Sequence, residues 1–293
     1  MSPRSLALRF FALALALLLA GCGPSQPAPH TYAARGVIEH ISADQHIVTI
    51  HHEAIPGYMM AMTMDFPVRD GHLLDGFAPG DQVAFTLRVA DDDAWVDSVQ
   101  RLGHVDLPAT NAASALPPAL KPGDPLPDAE FLAENGRTVH LSDFRGRVVI
   151  FTFFFTRCPL PNYCPLMNRN FSRTRDLLLA DPAAPKNWQF LSISFDPDFD
   201  RPQTLVSYAG FYRHDNPDRW LFVSATPQTL GKFASPLGLI VSRQDSTISH
   251  NLRTVVVDPQ GRLFRQFNDN LWTAEQLAQA VKDTAGAAPS PAK

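Results

Sequence analysis

Cysteine is scarce in this 293-residue chain: three residues, at 22, 158 and 164, are too few to staple a disulfide scaffold. Charge is also sparse. Charged residues make up 18%, the formal net charge is −4, and no basic cluster interrupts the sequence, which argues against nucleic acid as a partner. The apolar run from Phe10 to Ala20 is too short for a comfortable transmembrane helix. Methionine is confined as well: four of the six fall at 59, 60, 62 and 64, so composition alone does not account for them. What is present is an ordinary globular share of hydrophobic residues, 45%, in a chain long enough for two modest domains with separate cores.

The first residues read as an export signal. Arg4 and Arg9 precede the apolar run, and small residues lead to Cys22. Leu19-Ala20-Gly21-Cys22 resembles the bacterial lipobox, which implies that residues 1–21 are removed and that Cys22 is lipidated. Residues 22–30 then form a tether, and the expected location is the cell envelope, facing the periplasm from a membrane anchor. Gly23 after the cysteine, by resemblance to the sorting rule for such lipoproteins, leans towards the outer membrane.

Residues 31–103 show short alternating segments. Gly36 to Ile41, His46 to His52, Met60 to Val68, Asp81 to Ala90 and Ala94 to Leu102 are predicted strands, with Val83, Phe85, Leu87 and Val89 on one face. Five strands without a helix suggest a small all-β barrel of the OB type. Residues 104–122, rich in Pro and Ala, read as a linker. Residues 123–285 alternate strands and helices: a buried strand from Arg147 to Phe155, a helix from Pro165 to Ala180, a strand at Trp188 to Phe195, and a helix from Pro202 to Phe211. A strand near Trp220, a helix near Pro227, a hairpin across Pro259-Gln260-Gly261, and a last helix capped by Thr273 and Gln276 follow. That order fits an α/β thioredoxin-like fold. Residues 286–293 are left as a tail.

Cys158 and Cys164 lie directly after the buried strand. Pro165 as first helical residue makes Cys164 the N-cap, where the helix dipole favours thiolate. Such a pair is a redox couple, a soft-metal site or a structural disulfide. The stretch from Gly123 to about Asp283 resembles the Sco/SenC copper-chaperone family. The resemblance rests on Cys158 and Cys164, each followed by proline, on Ser194-Phe-Asp196-Pro197 with Asp200 and Pro202, and on His250 followed by Asp258-Pro259-x-Gly261. It implies Cys158, Cys164 and His250 as copper ligands and Asp196 as an acidic neighbour of the site. Asp196 also suits a turn or capping role ahead of Pro197. The family usually has three residues between its cysteines; this chain has five.

On a strand, Met60, Met62 and Met64 project to one face, and His52 can face them across the Pro56-Gly57 turn. Thioethers bind copper(I) without deprotonation and cannot form disulfides. They also serve as flexible core filler. His51-His52-Glu-x-Ile-Pro-Gly-Tyr-Met-x-Ala-Met62-Thr-Met64, within about 34–102, resembles the CusF-type periplasmic copper-binding barrel. The resemblance implies copper(I) or silver(I) held by His52, Met62 and Met64. Met59, Met60 or His51 stand as alternative ligands, since Tyr58-Met59-Met60 occupies the stretch where CusF has a tryptophan. Trp95 is expected in the barrel core.

The combined expectation is an envelope metallochaperone for copper(I), with copper(II) also open, delivering to a cuproprotein such as cytochrome oxidase. The alternative is a thiol-disulfide reductase cycling Cys158 and Cys164 on client cysteines.

Overall fold

The computed structural model describes residues 28–43, 45–59, 61–90, 93–107, 119–213, 219–244, 247–268 and 270–286. Cys22, Met60, the signal and tether up to residue 27, and the middle of the expected linker lie outside the described residues. Among the described residues no helix is long and apolar enough to cross a membrane.

The first domain is an antiparallel sheet of β1 (His30–Ile41), β2 (Ile47–His52), β3 (Met62–Pro67), β4 (Asp81–Val89) and β5 (Ala94–His104), ordered β3-β2-β1-β4-β5. Alternation decides its faces: every second residue of β2, β3 and β4 is buried. The predicted face of Val83, Phe85, Leu87 and Val89 is indeed the buried one. A parallel bridge between Val68 and Val96 brings the chain after β3 alongside β5. β5 runs one residue past the expected domain edge, because His104 pairs with the buried Asp81 at 2.9 Å. Trp95 is a correction. It is only half-buried, and the Arg69 guanidinium covers its ring at 3.4 Å, so it shields the outer face of the sheet rather than filling the core.

Gly36 sits opposite His52 where β1 and β2 approach closely. A Cβ there would meet the His51 carbonyl oxygen at 2.5 Å and the His52 Cα at 2.8 Å, both backbone atoms. Gly36→Ala is therefore expected to destabilise the first domain by about 1–3 kcal/mol. Chemical denaturation followed by hydrogen exchange at the β1 and β2 amides checks this, and an unchanged midpoint would contradict it.

The second domain is a seven-stranded sheet, ordered β14-β13-β8-β9-β10-β6-β7. Its strands are β6 (Glu130–Ala133), β7 (Thr138–His140), β8 (Val148–Phe154), β9 (Trp188–Ser194), β10 (Trp220–Ser224), β13 (Thr254–Val257) and β14 (Leu263–Phe267). β8 and β9 are buried throughout, as strands covered on both faces must be. The helices are α1 (Cys164–Ala180), α2 (Pro202–Ala209), α3 (Pro227–Phe233) and α4 (Ala274–Gly286). Parallel β8-α1-β9 followed by the antiparallel β13-β14 hairpin and α4 is the thioredoxin-like order. Thr273 and Gln276 make the predicted reciprocal cap, at 2.8 and 3.3 Å.

One element had no sequence signal. β11 (Val241–Gln244) and β12 (Thr247–His250) form a separate ribbon between α3 and β13, and β12 lies against β3 of the first domain.

Candidate metal centre

Strand β8 ends at Phe154, and two successive tight turns carry the chain to α1: Cys158 N donates to Phe155 O at 3.3 Å and Tyr163 N to Leu160 O at 3.2 Å. Asp200 fixes the start of this loop. It accepts from Thr156 N at 3.0 Å and from the hydroxyls of Thr156 and Ser194. Next along, Arg157 donates to the buried carboxylate of Asp196 at 2.6 Å. Asp196 thus shapes the site by holding the residue beside Cys158.

The cysteines differ from expectation. Tyr163, not Cys164, is the N-cap of α1, and Cys164 is already its first residue with Pro165 next. Cys164 is fully buried, and burial, reinforced by its hydrogen bond to Cys158, pushes its thiol well above the ordinary value. Cys158 is half-buried. Burial opposes its ionisation, but hydrogen bonds from Cys164 and His250 and the nearby imidazole outweigh that, bringing it down to about 5. The thiolate belongs to Cys158, and Cys164 keeps the shared proton. Both are free thiols.

His250 ends β12 and reaches the pair from the opposite side. Its Nε2 lies 3.9 Å from Cys164 Sγ, and its Nδ1 is 2.9 Å from the Asn251 carbonyl, a contact that requires Nδ1–H and directs Nε2 into the site. Phe195 at 4.6 Å, Phe155 at 5.7 Å and Tyr163 at 6.4 Å between ring centres enclose the imidazole.

In the first domain, His52 pairs across β2 and β3 with Met62, and Ile50 with Met64. His52 is fully buried. Its Nδ1 lies 2.7 Å from Glu53 O, whereas Nε2 is buried without a hydrogen-bond partner. Burial lowers its pKa and keeps the ring neutral, so Nε2 is a lone-pair donor aimed into an apolar interior. Metal ligation is a chemical use for such a nitrogen. His51 is the weaker alternative, because its Nδ1 is already 2.8 Å from Thr63 Oγ1 on the outer face. Met59, Met62 and Met64 are all buried. Tyr58 stacks on Tyr32 at 4.5 Å rather than on the methionines.

Among the described residues no three His, Cys, Asp or Glu side chains are gathered tightly enough to chelate a metal by themselves. Nitrogen and thiol donors come in small groups, and the thioethers lie beside them. Met62 and Met64 line one small cavity together with Cys158 and His250, which sequence reasoning did not anticipate.

An α/β domain with a cysteine pair at a strand-to-helix junction, a histidine facing it, and an all-β domain bearing buried methionines defines a two-domain soft-metal protein. Residues 125–286, more than half of the chain, match the SCO1/SenC family, and the chain belongs to it. Residues 31–101 match the family of the copper binding periplasmic protein CusF.

Among curated relatives, the mitochondrial SCO2 homolog of Bos taurus is 27% identical over 161 residues, 53% of this chain and 58% of the relative. The SCO1 homolog of Bacillus subtilis is 26% identical over 142 residues, 47% of this chain and 70% of the relative. The chain thus spans less than two thirds of the bovine relative's length. A SCO1/SenC family lipoprotein from Bacillus anthracis aligns over 57% of this chain and 99% of its own, at 22% identity and a TM-score of 0.49.

Proposed function

We propose that this chain is a copper(I) metallochaperone of the cell envelope. Cys158, Cys164 and His250 would hold the ion in the second domain; His52, Met62 and Met64, with Met59 or Met60 in reserve, would hold it in an OB-like barrel at 31–103. Residues 104–122 would link that barrel to the domain at 123–285. The observation that carries the reading is the pair of histidines whose Nδ1 is occupied by a backbone carbonyl and whose Nε2 faces sulfur or a dry interior. That arrangement fixes a tautomer suited to a soft monovalent ion. Lipidation of Cys22 would anchor the protein at the periplasmic face, and the receiving partner would be a cuproprotein such as cytochrome oxidase.

Copper(I) competition with a chromophoric chelator, on reduced protein, tests the reading. His250→Ala is expected to abolish copper retention by the Cys158–Cys164 pair, and wild-type protein that holds no copper(I) would overturn it. The low pKa of Cys158 favours one other reading, thiol-disulfide exchange on client cysteines. Reductase activity on a disulfide client that survives His250→Ala would support that alternative.

A further inference from the structure

Among the described residues, four side-chain hydrogen bonds tie the domains together, and all four run through the loop between the cysteines, the longest from Asn162 Nδ2 to Asp93 Oδ1 at 3.4 Å. Tyr58 Oη donates to Pro159 O at 3.3 Å, Asn162 Nδ2 to Ala94 O at 2.8 Å, and Tyr163 Oη to Asp65 O. The loop is braced from behind by its own domain: Arg169 donates to Pro161 O and Asn270 to Asn162 O, each at 2.9 Å. Leu160, Asn162 and Tyr163 are 1, 2 and 3% exposed, so the loop is packed as an interface rather than as a surface excursion. The loop's departure from three-residue spacing therefore has a physical role. The additional length lets the backbone stay on the second domain while Asn162 and Tyr163 reach across to the first.

Beneath this latch lies a cavity of about 10 Å³, bounded by Met62 and Met64 on one side and by Cys158, His250, Phe155 and Tyr163 on the other. That is room for a single small centre and for no polyatomic ligand. A wider groove of about 490 Å³, lined by Glu39, Asp65, Met64 and His250, reaches the same donors from outside. Its two acidic residues suit the approach of a cation.

We infer that the two candidate sites are halves of one composite copper(I) site, in which Met62 and Met64 join Cys158 and His250 around a single ion, seated by the loop between the cysteines. This rests on the copper(I) reading above and deepens it. One thiolate neutralises a monovalent ion, and thioethers add donors without adding charge, so the assembled centre suits an enclosure of aromatic and apolar groups. Because the same methionines serve His52 on one side and Cys158 on the other, the two sites exclude each other while the domains are docked. Copper then moves by ligand exchange across the methionines, and a receiving protein gains Cys158 only by displacing the first domain.

The test uses the full chain, reduced and anaerobic, labelled with selenomethionine and titrated with copper(I) against a chromophoric chelator. Wild-type protein is expected to saturate at one ion, with X-ray absorption at the copper edge showing selenium and sulfur around that ion. Tyr58→Phe combined with Tyr163→Phe and Asn162→Ala is expected to release the latch and raise the capacity to two. Met62→Ser with Met64→Ser should leave one ion, bound about tenfold more weakly and without selenium neighbours. Two ions in wild-type protein, one coordinated by selenium and the other by sulfur without selenium, would overturn the composite site while leaving the copper reading intact. No copper in any form would overturn both. The wild-type spectrum decides the matter even where the latch variant fails to fold.

Discussion

Alkylation of Cys158 by iodoacetamide is expected to follow a titration centred near pH 5, with Cys164 unmodified across the same range in the native protein. At pH 6 a thiol at the ordinary value of 9.0 is about one part in a thousand thiolate, whereas Cys158 is about nine parts in ten. The absolute rate is a poorer guide than the profile, because nucleophilicity falls along with pKa and offsets part of the gain. The direction follows from geometry. Burial alone would raise both thiols, as it does for the enclosed Cys164; at Cys158 the hydrogen bonds from Cys164 and His250 reverse the sign. His250→Ala removes one of those hydrogen bonds and its accompanying charge, so the midpoint moves up. Peptide mapping after alkylation at several pH values separates the two cysteines. A midpoint for Cys158 near the ordinary value, or modification of Cys164 first, would show that the shared proton lies the other way.

That assignment also marks where sequence reasoning stops. Pro165 correctly signals the start of α1, but whether Cys164 caps the helix or begins it is a one-residue matter that propensity does not resolve. The difference is decisive here. A cap thiol open to solvent would take the dipole's help, while a first-turn thiol sealed beneath Tyr163 and His250 is governed by burial. The continuous apolar run of β8, the alternation in β4 and the Thr273–Gln276 cap were legible, because each depends on neighbours close in sequence. The β11–β12 ribbon was not, because its strands are short and β12 lies against β3, far away in sequence.

The candidate site was legible in its residue types and hidden in how the fold brings them together. Cys158, His250 and the Met62–Met64 pair stand out by residue type, and thioether chemistry points to a soft ion. Nothing local says that residues about a hundred positions apart share one cavity. The signal nearest to that fact was the five-residue spacing of the cysteines, a departure from the family pattern whose added length carries Asn162 and Tyr163 to Ala94 and Asp65. Arg157 was equally hidden. Its role depends on meeting Asp196, which follows the next strand of the sheet.

Asp200→Ala is expected to cost about 3 kcal/mol or more of folding stability, because the carboxylate is the partner of three donors and each group left unpaired in a buried setting costs about 1–3 kcal/mol. Those donors are Thr156 N, the Thr156 hydroxyl and the Ser194 hydroxyl, and Asp200 itself is fully buried. Asp200→Asn keeps an oxygen for Thr156 N and Ser194 and removes the charge, so it should retain most of the stability. The two variants also separate by pH. Burial raises the Asp200 pKa above 3.8, its hydrogen bonds oppose the rise, and the neighbouring Asp196 charge adds to it. For an acid raised on folding, the protonated form is the one the native state favours. Its contribution is fully present below 3.8 and is lost as pH rises through the raised folded value. Denaturation of wild-type protein should therefore show a component of stability that declines above pH 3.8, and Asp200→Asn should lack that component. Since Asp200 clamps Thr156, two residues before Cys158, the alanine variant should also broaden the Cys158 alkylation profile as the loop loses its fixed distance to His250. An alanine variant as stable as the asparagine one would mean that water replaces the carboxylate, and that the loop is held by Arg157 and the interdomain latch alone.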